Sequence, residues 1–410
     1  MPRRVTIRRP ERPIDVEVGL PRSKSIANRA LIIASLAGDL SSVEHGNDGD
    51  DTRILHELLS ERPRLMHCGL GGTTFRFLLA WASVQEGEEH LITGDPHLLQ
   101  RPHGDLVDAL RALGSSIERT AEGYLVHGKN LRGGNITLDS PVSSQFISAL
   151  MLVAPCMEEG IALRWTGRRL SEPYVHMTAR CLAHFGARVD TDGDVIRVAP
   201  TPLRPMPFLV PRDWSAAAFW FEIAALADDA RILLRELHRE GWHGDEWIAD
   251  CMSPFVRSEE GQEGTVLTTK SFGPDPASVS IDLMRTPDLF QPIAVTCAAL
   301  GLQATITGLD NLPLKETDRL RALTGALSTC GFSSAFTGNS WRAPAEDHES
   351  AGAADIRIDP SSDHRMAMCL APLALMDRPI TITDADVVNK SYPGFWEDLA
   401  KAGFRLAWDQ

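Results

Sequence analysis

Apolar residues recur along the chain at three- and four-residue spacing, in stretches that open on proline or a charged residue and close on glycine. Arg101-Pro102 leads through Leu106, Leu110 and Leu113 to Gly114, and Glu172-Pro173 through Met177, Cys181 and Leu182 to Gly186. Thr286-Pro287 leads through Ile293, Val295 and Leu300 to Gly301, Glu316 through Leu320, Leu323 and Leu327 to Gly331, and Tyr392-Pro393 through Phe395 and Leu399 to Gly403. Each stretch predicts a helix with one buried face: proline suits the first turn, and glycine accepts the left-handed position past the last. Short runs lie between them and read as strands, several alternating apolar with polar: 14–18, 134–138, 161–165, 232–234, 279–283, 356–358 and 380–383. The result is an α/β unit repeated at least five times, in a chain with room for about six. The spacing is too uneven for a solenoid, and a pseudosymmetric architecture is expected instead of one open sheet. Proline- and glycine-rich stretches fall at 200–211 and 261–276; the first, with five prolines, is the expected domain boundary.

Composition narrows the class. The chain has 410 residues, 43% hydrophobic and 23% charged, which fits a globular protein of two or three domains at roughly 150 residues each. The longest apolar run, 216–227, is broken by Glu222 and falls short of the roughly 20 residues that span a bilayer. Five arginines in the first twelve residues are followed by no apolar segment, so a secretory signal is not expected. Seven scattered cysteines with no C-x-x-C pair suggest neither a disulfide framework nor a zinc site, and fit a reduced cytoplasm. A net charge of −14 argues against general nucleic-acid binding but permits a local basic pocket.

Six segments carry candidate chemistry. Pro21-Arg22-Ser23-Lys24-Ser25 precedes an apolar run and places Ser25 and Arg29 on one helical face, near a helix N-terminus suited to an anion. Gly69-Leu70-Gly71-Gly72-Thr73 is a glycine loop leading into a helix. It is neither a P-loop nor a good dinucleotide fingerprint. Ser143-Ser144-Gln145 opens the apolar helix 147–154, and capping accounts for only one of its two serines. Lys315-Glu316-Thr317-Asp318-Arg319, with Asn311 upstream, sets Lys315 and Arg319 one helical turn apart, an arrangement that a simple salt-bridged helix face would also produce. Ser362-Asp363-His364-Arg365 opens an apolar helix continuing to Leu375, and Lys390 stands ahead of another helix start. The acidic run 47–51 lacks the spacing of a calcium loop and reads as the turn before a helix at 52–59. His364 has no partner at metal-ligand spacing and reads as a structural hydrogen bond. Basic and hydroxyl side chains at five or more helix starts, in an acidic chain, form a pocket for multiply charged anions if those starts converge.

In this order, these residues resemble the 5-enolpyruvylshikimate-3-phosphate synthases. The likeness runs from Leu20-Pro21 through Gln100-Arg101-Pro102, Pro141 to Phe146, Lys315 to Arg319 and Asp363 to Met368, as far as Lys390 and Pro393. The resemblance implies a two-lobed inside-out α/β barrel. Each lobe has three βαβαββ units about a pseudo-threefold axis, helices inside and sheets outside, with helix N-termini at the cleft. One lobe would take residues 21–210 and the other residues 1–20 with 211–410.

The implied reaction passes the enolpyruvyl group of phosphoenolpyruvate to the 5-hydroxyl of shikimate 3-phosphate through a tetrahedral intermediate, releasing phosphate, without metal or organic cofactor. The resemblance assigns Lys24, Ser25, Arg29, Ser143, Ser144, Gln145, Ser171, Tyr174, Asp288, Asn311 and Lys315 to shikimate 3-phosphate. It assigns Lys24, Gly72, Arg101, Gln145, Arg319, Arg365 and Lys390 to phosphoenolpyruvate. Asp288, Glu316 and Lys24 are the implied proton-transfer groups. Leu70 stands where the family usually carries asparagine, and Phe77 where it carries a small residue or proline; both bear on substrate affinity and on glyphosate sensitivity. The likeness further implies a cytoplasmic monomer that binds neither nucleic acid nor membrane. The alternatives are a non-catalytic anion-binding relative, a UDP-N-acetylglucosamine enolpyruvyl transferase, whose reactive cysteine Cys68 does not match in position, and an RNA-terminal cyclase.

Overall fold

The computed structural model describes residues 2–46, 49–270, 278–345 and 355–409. Asn47 and Asp48 of the acidic run, and 271–276 of the second proline- and glycine-rich stretch, lie outside them. The chain divides into two compact units, one of Met1–Pro21 with Arg212–Gln410 and one of Arg22–Pro211.

A single sheet design recurs. Leu65–His67 runs parallel to Glu89–Thr93, which is antiparallel to Tyr124–His127, which is antiparallel to Ser116–Arg119. The same parallel, antiparallel, antiparallel order joins Gly134–Asp139, Ile161–Thr166, Val195–Val198 and Val189–Asp192. It joins Ile14–Val18, Ala230–Arg235, Gly264–Thr269 and Val256–Gly261, and Val279–Asp282, Ala304–Thr307, Ser340–Ala343 and Ala335–Thr337. In the fifth sheet Ile356–Ile358 and Ile380–Ile382 are completed by the N-terminal strand Arg4–Arg8, which pairs in turn with Arg405–Asp409. The sixth repeat is abbreviated to a parallel pair, Val43–Glu44 with Phe208–Leu209. The prolines at 200, 202, 205 and 207 explain this, because a chain without those N–H groups cannot add a ladder strand before Phe208.

Each unit keeps three helices inside, packed on one another, and its sheets outside. In residues 22–211 these are Lys24–Leu36, Gly72–Ser83 and Ser144–Val153; in the other unit they are Trp214–Leu226, Phe290–Ala299 and His364–Leu370. They have no polar face: every residue of the last three is buried. In the helices at 72–83 and 144–153 only Thr73 and Gln145 escape burial, each in the first turn. The outer helices are amphipathic. Arg319–Thr329, for example, buries Arg319, Leu320, Leu323 and Leu327 and leaves its other faces open. The five glycines expected to end helices, Gly114, Gly186, Gly301, Gly331 and Gly403, all have φ between 65° and 107°.

Candidate functional site

In the unit of residues 22–211 the candidate residues gather at the N-terminal ends of the inner helices. Ser23 caps the first, its Oγ accepting from the Ile26 N–H at 3.4 Å, so Lys24 and Ser25 occupy the first turn. Lys24 Nζ donates to Asp51 Oδ2 at 3.0 Å. Asp51 lies in the first turn of Asp50–Glu61, behind Gly49 as N-cap, so the helix starts two residues before the expected 52.

Arg29 is buried. Its guanidinium donates to Thr178 Oγ1 (2.7 Å), the Ser25 carbonyl (2.7 Å) and Ser148 Oγ (3.1 Å), none of them a carboxylate. The rings of Phe77 and Tyr174 stand 5.3 and 5.8 Å from its carbon. Burial lowers its pKa to about 10, so the cation is held by neutral dipoles and π faces and retains its attraction for an anion.

Ser143 caps the third inner helix through the Gln145 N–H at 3.3 Å. Gln145 bridges two helix starts, its Oε1 accepting from Arg76 at 2.6 Å and its Nε2 donating to Thr73 Oγ1 at 2.9 Å. Ser144 is buried beside it. Ser171, with φ 56°, is a buried non-glycine residue in the left-handed region, directly before Glu172–His184, which carries Tyr174. Gly72 begins its helix against Arg101: a Cβ there would lie 2.5 Å from Arg101 Nη1. Arg101 Nε is buried with no hydrogen-bond partner among the described residues.

In the other unit, charges interleave. Asp288 lies in the turn Pro287–Leu289 that leads into Phe290–Ala299. Its Oδ1 is 3.2 Å from Lys315 Nζ and 2.9 Å from Arg319 Nη1, and its Oδ2 is 3.4 Å from Arg365 Nη2. Arg365 also donates to the Asp288 carbonyl at 3.0 Å. Glu316 accepts from Arg319 at 2.9 Å and from Lys390 at 3.0 Å. Asp363, the N-cap of His364–Leu370, is 2.7 Å from Arg319 Nε. Burial alone would raise the Asp288 carboxyl, but Lys315, Arg365 and Arg319 hold it well below the usual carboxylate range. Burial pulls Arg319 down, and Asp363, Glu316 and Asp288 more than reverse this. Asn311 is buried at the turn before Lys315, and the His364 ring is 3.7 Å from Asp363.

Lys315 does not ride the helix with Arg319. Asp318 caps that helix through the Arg321 N–H at 3.2 Å, which starts it at Arg319 and leaves Lys315 extended. Lys315 therefore reaches Asp288 instead of forming an intrahelical pair. Among the described residues no group of three His, Cys, Asp or Glu could hold a metal, and no helix is long and apolar enough to cross a membrane.

The family model described as EPSP synthase (3-phosphoshikimate 1-carboxyvinyltransferase) matches residues 56–399. The chain belongs to the EPSP synthase family. A 3-phosphoshikimate 1-carboxyvinyltransferase of Bacteroides fragilis is 39% identical over 96% of both chains. One of Methanoculleus marisnigri is 32% identical over 95% of this chain and 97% of its own. An EPSP synthase from Acinetobacter baumannii shares the fold at a TM-score of 0.76 and 21% identity, with all of both chains covered. The enolpyruvyl transferase NikO from Streptomyces tendae does so at 0.74 and 16%, over 100% of this chain and 99% of its own.

Several residues around this candidate site were not expected there from the sequence. Asp51, Thr73, Arg76, Ser148 and Thr178 become partners of candidate residues only through tertiary packing. Phe77, legible only as a departure, lies beneath the Arg29 guanidinium.

Proposed function

We propose that this chain carries out the reaction named for its family with the residues described above. It transfers the enolpyruvyl group of phosphoenolpyruvate to the 5-hydroxyl of shikimate 3-phosphate and releases phosphate. The observation that carries the residue assignment is the Asp288 cluster, a carboxylate kept ionised by three cations that an anionic substrate can engage in its place.

Shikimate 3-phosphate is assigned to Lys24, Ser25, Arg29, Ser143, Ser144, Gln145, Ser171 and Tyr174 of one unit and to Asp288, Asn311 and Lys315 of the other. Hydroxyls at helix starts and a buried arginine that has no carboxylate partner among the described residues suit a phosphate and a carboxylate. Phosphoenolpyruvate is assigned to Lys24, Gly72, Arg101, Gln145, Arg319, Arg365 and Lys390.

In the addition step the 5-oxygen bonds to C2 of phosphoenolpyruvate, its proton leaves to Asp288, and a proton from Lys24 or Glu316 arrives at C3. In the elimination step the C2–O bond to phosphate breaks, and C3 returns a proton to re-form the double bond. Asp288 is a weak base while three cations surround it. When the anionic groups of phosphoenolpyruvate draw Arg319 and Arg365 away, its pKa rises toward the working range. The remaining cations stabilise the charge that develops on the departing phosphate. We also read the protein as a cytoplasmic monomer; its seven cysteines are free thiols, six of them buried or partly so, as a reducing compartment allows.

The test is phosphate release by the purified chain given both substrates, with each omitted in turn. Release that requires both supports the reading. No release, with shikimate 3-phosphate still bound, would replace it with a non-catalytic anion-binding relative.

A further inference from the structure

Phe77 departs from the family pattern, and the reaction above gives it no part. It lies on the inner helix Gly72–Ser83 at 0% exposure, and its side chain has no polar atom to offer a substrate. What its ring meets is Arg29, on the inner helix Lys24–Leu36. The guanidinium carbon stands over the ring, 5.3 Å from its centroid. That is inside the roughly 6 Å over which an aromatic face attracts a cation.

Arg29 is a buried cation, 2% exposed, and among the described residues no carboxylate bonds to it. A guanidinium has five N–H groups. Three are used: Nε donates to Thr178 Oγ1, Nη1 to the Ser25 carbonyl and Nη2 to Ser148 Oγ. The Thr178 and Ser148 hydroxyls are 2.9 Å apart, so each acceptor is itself fixed. One N–H on each terminal nitrogen is left for a ligand. Arg319 in the other unit shows the alternative, a buried arginine bonded to Asp363, Glu316 and Asp288. Carboxylates hold a guanidinium more strongly, but they cancel its charge and compete with an anionic ligand. An aromatic face attracts the cation, keeps water off it and leaves its charge uncancelled.

We propose that Phe77 is a positioning residue for shikimate 3-phosphate: its ring, together with the Thr178 and Ser148 hydroxyls, holds the Arg29 cation in place without neutralising it, so that the guanidinium meets the anionic substrate already ordered and shielded from water. The effect of this departure from the family then falls on shikimate 3-phosphate affinity and not on phosphoenolpyruvate. The inference rests on the assignment of Arg29 to shikimate 3-phosphate.

The experiment is calorimetric titration of the full-length chain with shikimate 3-phosphate alone, which needs no turnover, followed by KM for phosphoenolpyruvate. Phe77→Leu keeps apolar bulk and removes the ring face. It raises the Kd for shikimate 3-phosphate about tenfold and changes KM for phosphoenolpyruvate less than about threefold. The control is Phe75→Leu, the same change on the same helix at a residue that is equally buried but packs on the His103 ring at 4.4 Å. It keeps the Kd within about threefold of the parent. Three results overturn the proposal: a Kd in Phe77→Leu within about threefold of the parent, an equal loss in Phe75→Leu, or a larger effect on phosphoenolpyruvate than on shikimate 3-phosphate. If Phe77→Leu does not fold, Phe77→Met, which also fills the space without a ring, decides by the same limits. Arg29→Gln separates the two assignments. Weakened binding there with parental binding in Phe77→Leu overturns the role of Phe77 alone, whereas parental binding in Arg29→Gln overturns the assignment of Arg29 and the inference with it.

Discussion

Residue by residue, the candidate site depends on where a cation or a missing side chain is placed. Gly72 leaves room for the end of Arg101. The atom in its way belongs to a flexible side chain, so Gly72→Ala folds and displaces the guanidinium. The expected outcome is a KM for phosphoenolpyruvate raised about tenfold, which is about 1.4 kcal/mol, with shikimate 3-phosphate binding nearly unchanged. Steady-state kinetics with calorimetric binding of shikimate 3-phosphate checks this. Asp288→Asn removes the base and leaves three cations without their shared carboxylate. Turnover falls by orders of magnitude while shikimate 3-phosphate still binds, and the fold loses about 3 kcal/mol at neutral pH. Because the folded-state pKa of Asp288 is depressed, its stabilisation is complete above the ordinary carboxylate value of about 3.9 and is lost as pH falls below it. Denaturant melts of parent and variant should therefore differ at neutral pH and draw together as pH falls below about 3.9.

At the scale of elements, the inner helices were legible as apolar runs, and their first turns as clusters of polar residues. A helix buried on every side has no need of a polar face, so polar residues at its start mark the end that meets a ligand or its own caps. Glu222 breaks this rule. It lies in the middle of Trp214–Leu226 at 0% exposure, and neither carboxyl oxygen has a hydrogen-bond partner among the described residues. Burial pushes its pKa well up, so it is carried as a neutral acid. With the folded-state pKa raised, its contribution is intact below about pH 4.3 and declines as pH rises toward the folded value. Glu222→Leu should stabilise the protein by about 1–3 kcal/mol near neutral pH, with the gain shrinking on acidification. Urea melts across pH measure it, and a variant less stable than the parent at neutral pH would reverse the account. The element boundaries missed in sequence were those governed by caps. Asp318 delays a helix that the apolar spacing alone would begin at Glu316, and so frees Lys315 to reach Asp288.

For the whole molecule, the two units differ in how the chain builds them. Residues 22–211 are continuous, whereas the other unit needs both termini, since Arg4–Arg8 is an inner strand between Ile380–Ile382 and Arg405–Asp409. Deleting residues 2–8 removes both of those pairings at once. Limited proteolysis with mass spectrometry should then show residues 212–410 degraded and a fragment near 22–211 persisting. Equal protection of both would show that the strand is dispensable. Local sequence determined the repeat, the glycine-terminated helices, the absence of a membrane-length apolar run and the residue types at each helix start, because caps, turns and hydrophobic faces depend on neighbours three or four residues away. The motifs also carried the family. What tertiary structure alone decided is partnership: Arg29 with Phe77, Thr178 and Ser148, Gln145 with Arg76, Asp288 among three cations, and Asp245 with Ser215. Those pairs are separated by tens to more than a hundred residues, and no local rule chooses among the chain's 55 carboxylates and 41 cations. Only the packing of three helices in each unit brings their starting turns together, and burial there sets which charges persist.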